Sequence, residues 1–314
     1  MLKEVDKKTW QEAVSINRTS IFDDPDYLEI IAQLHHTDIK YWVFYKKNKS
    51  ILGFATYVKG NIIVVPDHYS YSSFWFNDEL TDFSFFDVLD QSLKVLKGGF
   101  KNFSFRLPPQ VKDVRAFNLN GCSSVVNYTY YNATSQLELR KNNEAKFKES
   151  LNYDLAFFYD EYNELVLEQQ LNDFQNFGYK KSKINFYRKY FKELIDRKYL
   201  KSFGVFFEGT LKASALVIID QNNATAYNLL LSNSKMQDKT DSSTFLYVKI
   251  IEKLKELGIQ KFDLYGANMK GIANFKSGFR GDLIPHYIVK YSSLRNSLNK
   301  FLMFAKRVVK KMAQ

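Results

Sequence analysis

The sequence predicts an α/β protein of the α+β kind, made of two similar halves that each carry a mixed β-sheet flanked by helices. Three observations support this fold class. Short segments with a two-residue apolar period, typical of strands, alternate with longer segments of helical period. The order strand, turn, strand, strand, helix, strand occurs twice, about 160 positions apart. A chain of 314 residues that is 45% hydrophobic is long enough for two domains with separate cores.

The first half begins with helices and continues with strands. A short helix is predicted around 10–14, and Asp24 followed by Pro25 predicts the N-cap and first position of a second helix. Apolar residues at helical spacing predict a further helix over 84–96, which ends at two glycines. Strands are predicted over 41–45, 52–58, 61–65 and 102–107.

The second half repeats this order. Strands are predicted over 205–207, 213–219, 226–231 and 261–265, with a helix over 244–257 before the last of them. Between the halves, 142–201 is rich in helix-forming residues, and Tyr187, Phe191 and Leu194 form a helical stripe. We predict an N-terminal domain over 1–150, a C-terminal domain over 151–292 and a terminal helix over 293–314.

Composition and charge exclude several kinds of protein. Cys122 is the sole cysteine and the four histidines include no ligand-spaced pair, so we expect neither disulfides nor a metal site. No apolar run reaches the roughly 20 residues that span a bilayer, and the polar start is unlike a signal peptide, which predicts a cytoplasmic protein. The net charge of +11 favours an anionic partner, such as a nucleotide, CoA, tRNA or a membrane surface.

The segment 261–291 concentrates glycines and cations directly after a predicted strand. That strand ends at Gly266, and a flexible loop is expected before a last strand over 287–291. Ligands favour such loops, although an ordinary connection with solvated lysines has the same composition. The cations of the loop are Lys270, Lys276 and Arg280.

Two runs in this segment, FDLYG at 262–266 and GIANFKSGF at 271–279, resemble the C-terminal signature of Fem-type transferases. These enzymes belong to the GNAT-like superfamily of acyl-CoA N-acyltransferases. The resemblance implies two tandem GNAT-like domains. It also implies transfer of an acyl or aminoacyl group onto an amine of a nucleotide-linked precursor or of a cell-envelope precursor, such as one of peptidoglycan.

The resemblance further implies that Lys276 lies near the reacting ester, where a cation would stabilise developing negative charge. Asp263 is a candidate to orient a substrate amine or accept its proton, although an aspartate at a strand end is commonly a cap or turn former. A Pro/Tyr-rich segment faces the substrate cleft in Fem relatives, and 66–71 matches it. The candidate substrate contacts are Tyr265, Asn268, Asn274, Arg280, Tyr69 and Tyr71.

No tightly bound cofactor is expected, and the donor substrate is left open between acyl-CoA and aminoacyl-tRNA. GNAT-type enzymes hold the CoA pyrophosphate on a glycine-containing loop before a helix. The matching stretch here, 234–243, has no glycine and contains Asp238 and Asp241, and its counterpart at 77–82 is acidic too. Charge and the missing loop favour aminoacyl-tRNA. The absence of the long helical arm that some Fem-type enzymes use for tRNA favours acyl-CoA.

The tail over 293–314 carries apolar residues at three-four spacing together with six cations and no acid. This pattern predicts a basic amphipathic helix, which can lie on an anionic membrane or pack on its own domain. Three function classes therefore remain. They are an N-acyltransferase with an anionic or nucleotide-linked acceptor, a non-catalytic ligand-binding protein with a degenerate GNAT-like fold, and a peripheral membrane adaptor at the inner face of the membrane.

Overall fold

The computed structural model describes residues 1–17, 19–67, 70–77, 80–233 and 240–294. The chain forms two compact units. Unit 1 comprises Met1–Val126 together with the chain from His286 onward, and unit 2 comprises Asn127–Pro285. No helix of the described residues is both long and apolar enough to cross a membrane. The predicted tail helix lies, apart from its first two residues, outside the described residues.

Strands and helices alternate through both units. The strands are β1 (Leu2–Val5), β2 (Asp38–Lys46), β3 (Lys49–Lys59), β4 (Ile62–Val64), β5 (Trp75–Phe76), β6 (Asn102–Arg106), β7 (Ser123–Ala133), β8 (Ala156–Asp160), β9 (Leu200–Phe207), β10 (Thr210–Asp220), β11 (Thr225–Asn233), β12 (Lys261–Asp263) and β13 (Asp282–Ser292). The helices are α1 (Lys7–Ile16), α2 (Pro25–His35), α3 (Asp82–Gly99), α4 (Arg115–Leu119), α5 (Lys141–Ser150), α6 (Glu164–Asn176), α7 (Lys181–Asp196), α8 (Ser242–Glu256) and α9 (Lys270–Ser277).

The two units have the same sheet plan. In unit 1 the order is β1, β2, β3, β4, β6, β13, and all neighbours are antiparallel except β4 and β6. In unit 2 the order is β8, β9, β10, β11, β12, β7, and all neighbours are antiparallel except β11 and β12. Each sheet is therefore mixed and carries one parallel pair, which confirms the predicted fold class.

Local sequence explains the best-predicted elements. Asp24 caps α2 by accepting hydrogen bonds from the backbone N–H groups of Asp26 and Tyr27, and Pro25 occupies the first helical position. In unit 1, the apolar side of α3 packs through Leu89 and Leu93 on the core face of the sheet. In unit 2, α8 packs in the same way on its own sheet.

The units divide at other positions than the sequence predicted. We expected domains over 1–150 and 151–292, whereas the compact units divide after Val126 and after Pro285. The reason is that each half of the chain contributes one strand to the sheet of the other unit. The strand β7 pairs with β12 in unit 2, and the later strand β13 pairs with β6 in unit 1. Local periodicity identifies a strand but not its partner, so the sequence could not show this exchange.

The glycine-and-cation segment also differs from the expected flexible loop, because part of it is the helix α9. The rings of Phe275 and Phe279 lie 5.3 and 5.0 Å from the ring of Tyr247 on α8. This packing holds the helix in place against the core of unit 2. Phe275 lies on α9, and Phe279 lies two residues beyond its end, so the helix and the segment that follows it pack on the same ring.

Candidate functional site

The candidate site lies in unit 2, where the parallel strands β11 and β12 separate. Their pairing covers three positions and ends at Tyr227 opposite Asp263. Beyond that point β11 continues to Asn233 with β10 on its other side, whereas the chain after β12 turns away at Leu264. The described residues supply no strand that pairs with the free side of this end of β11. A separated parallel pair of this kind leaves backbone groups available to a ligand.

Lys276 belongs to α9, and its side chain reaches the chain that follows β12. The residue is 7% exposed. Its Nζ donates to the backbone carbonyl of Leu264 over 2.6 Å and to that of Tyr265. Burial lowers the pKa of Lys276 to about 8, and the neighbouring Asp263 offsets this only in part. A lysine ammonium has three N–H donors, and the described residues supply acceptors for two of them. The described residues therefore leave one N–H of Lys276 without an acceptor.

Asp263 is fully buried and forms the turn that follows β12. Its Oδ1 accepts a hydrogen bond from the backbone N–H of Tyr265 over 2.8 Å and one from the hydroxyl of Thr129. Burial raises the pKa of the neighbouring Tyr131, and the carboxylate of Asp263 raises it further. These contacts are those of a turn-forming aspartate, the alternative that the sequence had left open. The proposed role of Asp263 as a base stays a prediction.

The turn itself aims two carbonyl groups at Lys276. Tyr265 has a φ of +50° and Gly266 a φ of +69°, so two successive residues adopt the left-handed conformation. Glycine adopts this conformation at little cost, and a Cβ at Gly266 would lie 3.8 Å from the Nζ of Lys276. The glycine after β12 therefore has a structural reason, because it allows the turn whose carbonyl groups bind the Nζ of Lys276.

Asn228 on β11 is a site residue that the sequence analysis missed. Its Nδ2 donates to the hydroxyl of Tyr247 over 2.8 Å and lies 3.5 Å from the carbonyl oxygen of Leu264. The residue is 3% exposed, and its Oδ1 has no hydrogen-bond partner among the described residues. An unpartnered amide oxygen beside the separated strands is a ready acceptor for a ligand N–H. A polar residue within the apolar run YNLLL was the signal that could have identified it.

The other predicted contacts in unit 2 lie in different surroundings. Asn268 is exposed, and its side chain bonds both the N–H and the carbonyl of Tyr128 on β7. Arg280 is exposed and pairs with Glu138 at 3.3 Å. Asn274 is exposed on α9. The structure therefore brings Lys276, Asp263 and Tyr265 together, whereas Asn268 and Arg280 make contacts within the fold.

The two candidate tyrosines belong to unit 1. Tyr71 is 1% exposed and packs edge-on against the ring of His286 at 5.3 Å. Tyr69 lies outside the described residues. The packing of Tyr71 is that of a core residue, and its proposed part in an acceptor pocket stays a prediction.

The stretch that would meet a donor phosphate is described in part. Residues 234–239, including Asp238, lie outside the described residues. Asp241 precedes α8 and pairs with Lys146 on α5 at 3.0 Å, so its charge is compensated within unit 2. Within the described part of the chain, no three His, Cys, Asp or Glu side chains are grouped so as to hold a metal ion.

The fold matches solved structures of GNAT-fold acyltransferases. FemX is 10% identical with a TM-score of 0.65, over 92% of this chain and 96% of that chain. The C-terminal DUF2156 domain of a protein assigned as lysylphosphatidylglycerol synthetase, from Agrobacterium fabrum, is 15% identical with a TM-score of 0.56, over 96% of both chains. A tandem GNAT protein from the clavulanic acid biosynthesis pathway is 9% identical with a TM-score of 0.56, over 93% of this chain and 99% of that chain.

At these identities the likeness shows the fold, and it confirms the expectation of a tandem GNAT-like architecture. No family model matches the sequence, and no curated protein matches it either.

Proposed function

We propose that this protein is an N-acyltransferase whose donor binds in unit 2, where β11 and β12 separate. The observation that carries the proposal is the position of Lys276 at this point, with two N–H groups bonded to backbone carbonyls and the third unused by the described residues. The fold supports it, since the similar solved structures named above include acyl and aminoacyl transferases.

In the proposed reaction a neutral acceptor amine attacks the carbonyl carbon of the donor. A C–N bond forms and the carbonyl oxygen becomes an oxyanion. The C–S bond of a thioester or the C–O bond of an ester then breaks, and the amine proton passes to the leaving group. The Lys276 ammonium donates its remaining N–H to the oxyanion, and a cation in a buried site stabilises that charge more than one in water.

Asn228 and Asp263 have supporting roles in this proposal. The free Oδ1 of Asn228 accepts a hydrogen bond from an N–H of the donor. Asp263 positions Lys276, because it holds the turn whose carbonyls bind the ammonium. It acts through the turn and needs no contact with the substrate.

The donor is proposed to be acyl-CoA or aminoacyl-tRNA, and the acceptor an amine on a nucleotide-linked or cell-envelope precursor in the cytoplasm. The ion pair of Asp241 with Lys146 weakens one sequence argument against CoA, because this carboxylate carries its own counter-charge. The positive charge of the chain suits either donor.

The test is a transfer assay with radiolabelled acetyl-CoA and radiolabelled aminoacyl-tRNA, each offered with amine-bearing envelope precursors. We expect label to move to the acceptor from one donor class. Prior treatment with ribonuclease should abolish transfer from aminoacyl-tRNA and leave transfer from CoA unchanged. If the folded protein moves label from neither donor to any amine, the proposal is wrong.

A second candidate function is ligand binding without catalysis. The observation that favours it is the bonding of Asp263, whose known partners all lie within the fold. Saturable binding of a donor with no transfer, in both wild-type protein and the Lys276→Met variant, would identify this function.

A further inference from the structure

The end of α9 that carries Lys276 is held to the core of unit 2, whereas the start of this helix is exposed. Residues 270–272 are exposed, and residues 276–279 are buried. A helix of eight residues is marginal in water when it is isolated. The contacts made by its last turn and by the segment that follows therefore decide where the side chain of Lys276 lies.

Two backbone carbonyls directly after Lys276 are bonded to other elements of unit 2. The carbonyl of Gly278 accepts a hydrogen bond from the backbone N–H of Arg140 over 2.8 Å. The carbonyl of Phe279 accepts one from the Nδ2 of Asn132, a residue of β7 that is 3% exposed. Loss of a buried donor leaves its acceptor unsatisfied, so the amide of Asn132 fixes the position of Phe279.

Asn143 on α5 lies against the same segment at Gly278. The backbone of Gly278 has a φ of −64° and a ψ of −17°, which any residue adopts, so the conformation does not require glycine. A Cβ at this position would lie 2.2 to 2.5 Å from three atoms of the Asn143 side chain. Glycine is therefore required here by the close approach of the asparagine, which is 5% exposed.

The same arrangement occurs three residues later. A Cβ on Gly281 would lie 2.5 Å from the Oδ1 of Asn132 and 2.7 Å from the carbonyl oxygen of Tyr131. The chain that leaves α9 thus passes two buried asparagines at distances that exclude a side chain.

Both asparagines belong to elements that the core of unit 2 holds. Asn132 lies opposite Phe262 in the pairing of β7 with β12. The helix α5 packs on α8 through Phe147 and Phe245, whose rings are stacked at 6.1 Å. The two side chains that contact the end of α9 are therefore fixed by the sheet on one side and by a packed helix on the other.

Stability alone does not explain two asparagines at this place. Within the described residues, the Oδ1 of Asn132 and the Nδ2 of Asn143 have no hydrogen-bond partner. A buried polar atom without a partner lowers the free energy of unfolding, whereas an apolar side chain of similar size has no such cost. The choice of these residues points to a role in the site that α9 completes.

We propose that Asn132 and Asn143 are positioning residues, which hold the end of α9 so that the Nζ of Lys276 stays at the carbonyls of Leu264 and Tyr265. An α-helix advances by about 1.5 Å and turns by about 100° per residue, so a shift of one residue would carry the Nζ away from both carbonyls. The two asparagines act through the backbone after Lys276 and need no contact with the substrate. The inference rests on the proposed function only in taking Lys276 to be a group that transfer requires.

The test measures the protonation of Lys276 directly, without donor or acceptor. The full chain is trace-labelled with acetic anhydride between about pH 6 and 11, and mass spectrometry of the peptide that contains Lys276 gives the midpoint of its reactivity. Burial lowers the pKa of Lys276 to about 8, and the neighbouring Asp263 raises it in part, so the wild-type midpoint should lie near pH 8. Gly278→Ala and Asn132→Ala should raise the midpoint by at least one pH unit, because release of the helix end admits water to the lysine. Both variants keep Asp263.

A second variant at the contact tests the steric part of the assignment. Asn143→Ala removes the side chain that a Cβ on Gly278 would meet. The double variant of Gly278→Ala with Asn143→Ala should therefore have a midpoint closer to that of the wild type than Gly278→Ala alone. Such a non-additive result is expected only for residues in contact. The high-pH limb of the transfer rate should move together with the labelling midpoint in each variant.

Asn120→Ala is the matched control. Asn120 is a buried asparagine of unit 1, and its Nδ2 donates to the carbonyl of Ala116 over 2.9 Å, so its loss removes a similar hydrogen bond. Its labelling midpoint for Lys276 should equal that of the wild type. If Gly278→Ala does not fold, Asn132→Ala decides the outcome, because it adds no bulk.

An unchanged midpoint in Asn132→Ala, or an equal shift in Asn120→Ala, would overturn the assignment. Because the labelling uses neither donor nor acceptor, that result counts against the two asparagines and not against transfer. A raised midpoint in variants that keep the transfer rate and pH profile of the wild type counts against the proposed part of Lys276 in transfer and not against its positioning.

Discussion

The two units follow one sheet plan but differ at the same point of it, where the parallel strands end. In unit 1 these strands are β4 and β6, and in unit 2 they are β11 and β12. In unit 1 the chain itself fills the gap. Ser72 donates its N–H to the carbonyl of Arg106 over 2.8 Å, and its Oγ accepts the N–H of Arg106 over 2.9 Å.

The next residue of the filling segment completes the closure in unit 1. The Oγ of Ser73 accepts a hydrogen bond from the backbone N–H of Ala55 and donates to Asp23. The cavity left at this point measures about 10 Å³, roughly the space of one water molecule. A donor carbonyl and its acyl group cannot enter so small a space.

At the equivalent point, unit 2 has two polar side chains where unit 1 has the segment with Ser72 and Ser73. Lys276 and Asn228 lie there, and within the described part of the chain one N–H of Lys276 and the Oδ1 of Asn228 have no partner. A duplicated fold can therefore keep one reaction site while its other copy closes the same site with its own backbone. This comparison supports the proposal that the donor binds in unit 2.

The largest expected effect comes from Lys276→Met. Removing the ammonium takes away a hydrogen-bond donor to the oxyanion, and such losses lower kcat by about 10² to 10³. Initial rates of labelled acyl transfer measure the effect. Lys270→Met is the matched control, since Lys270 is exposed at the start of the same helix. Equal losses in both variants, or none in Lys276→Met, would contradict the role of Lys276.

The pH dependence gives the next largest effect. The pKa of Lys276 is lowered to about 8, so the ammonium is lost as pH rises through that value. We expect kcat of the wild type to fall above pH 8, approaching tenfold per pH unit, while the profile of Lys276→Met lacks this limb. Because the acceptor amine also titrates in this range, the comparison is between the two profiles, and identical pH profiles of the wild type and Lys276→Met above pH 8 would contradict the role of the ammonium.

The lowered pKa of Lys276 also makes the free energy of unfolding depend on pH. The folded state binds fewer protons than the unfolded state between the lowered pKa and the ordinary one, so the free energy of unfolding rises with pH there. The interval from about 8 to 10.5 corresponds to about 3 kcal/mol as an upper bound. Urea unfolding of the wild type and of Lys276→Met at several pH values tests this. The rise should be absent in the variant.

A smaller effect is expected from Gly266→Ala. A side chain in the left-handed conformation costs about 1 kcal/mol, and the resulting strain falls on the turn whose carbonyls bind the Nζ of Lys276. We expect transfer to fall about tenfold. Gly178→Ala is the control, because Gly178 has a φ of +82° with nothing near its Cβ. It should lose similar stability and keep full transfer, and a matching loss of transfer would remove the special role of Gly266.

The smallest effect on transfer is expected from Ser72→Ala in unit 1. The variant leaves the N–H of Arg106 without its acceptor, which lowers the free energy of unfolding by about 1 to 2 kcal/mol. Transfer by the folded variant should not change. Ser202→Ala is the control, because the buried Oγ of Ser202 has no partner among the described residues and its loss should be nearly neutral. If folded Ser72→Ala loses transfer, this part of unit 1 takes part in binding the donor or the acceptor.

Part of the candidate site could be predicted from sequence. The signature around Lys276 identified the lysine, because glycines, a cation and a strand end lie close together in the chain. Asn228 was missed, because its position beside Leu264 comes from strand pairing that joins residues 36 positions apart in the chain. The bonding of Asp263 was left open between two roles, since its partner Thr129 is distant in sequence.

Local patterns specified the elements of this protein. The cap of α2 at Asp24, the helices α3 and α8, and the repeated order of strands all depend on residues a few positions apart. Strand partners depend on contacts across the whole chain, so only the tertiary structure decided that β13 returns to β6, that β7 joins β12, and that Ser72 fills the gap in one unit. Burial of Lys276, which lowers its pKa, belongs with these, because desolvation is a property of the packed structure.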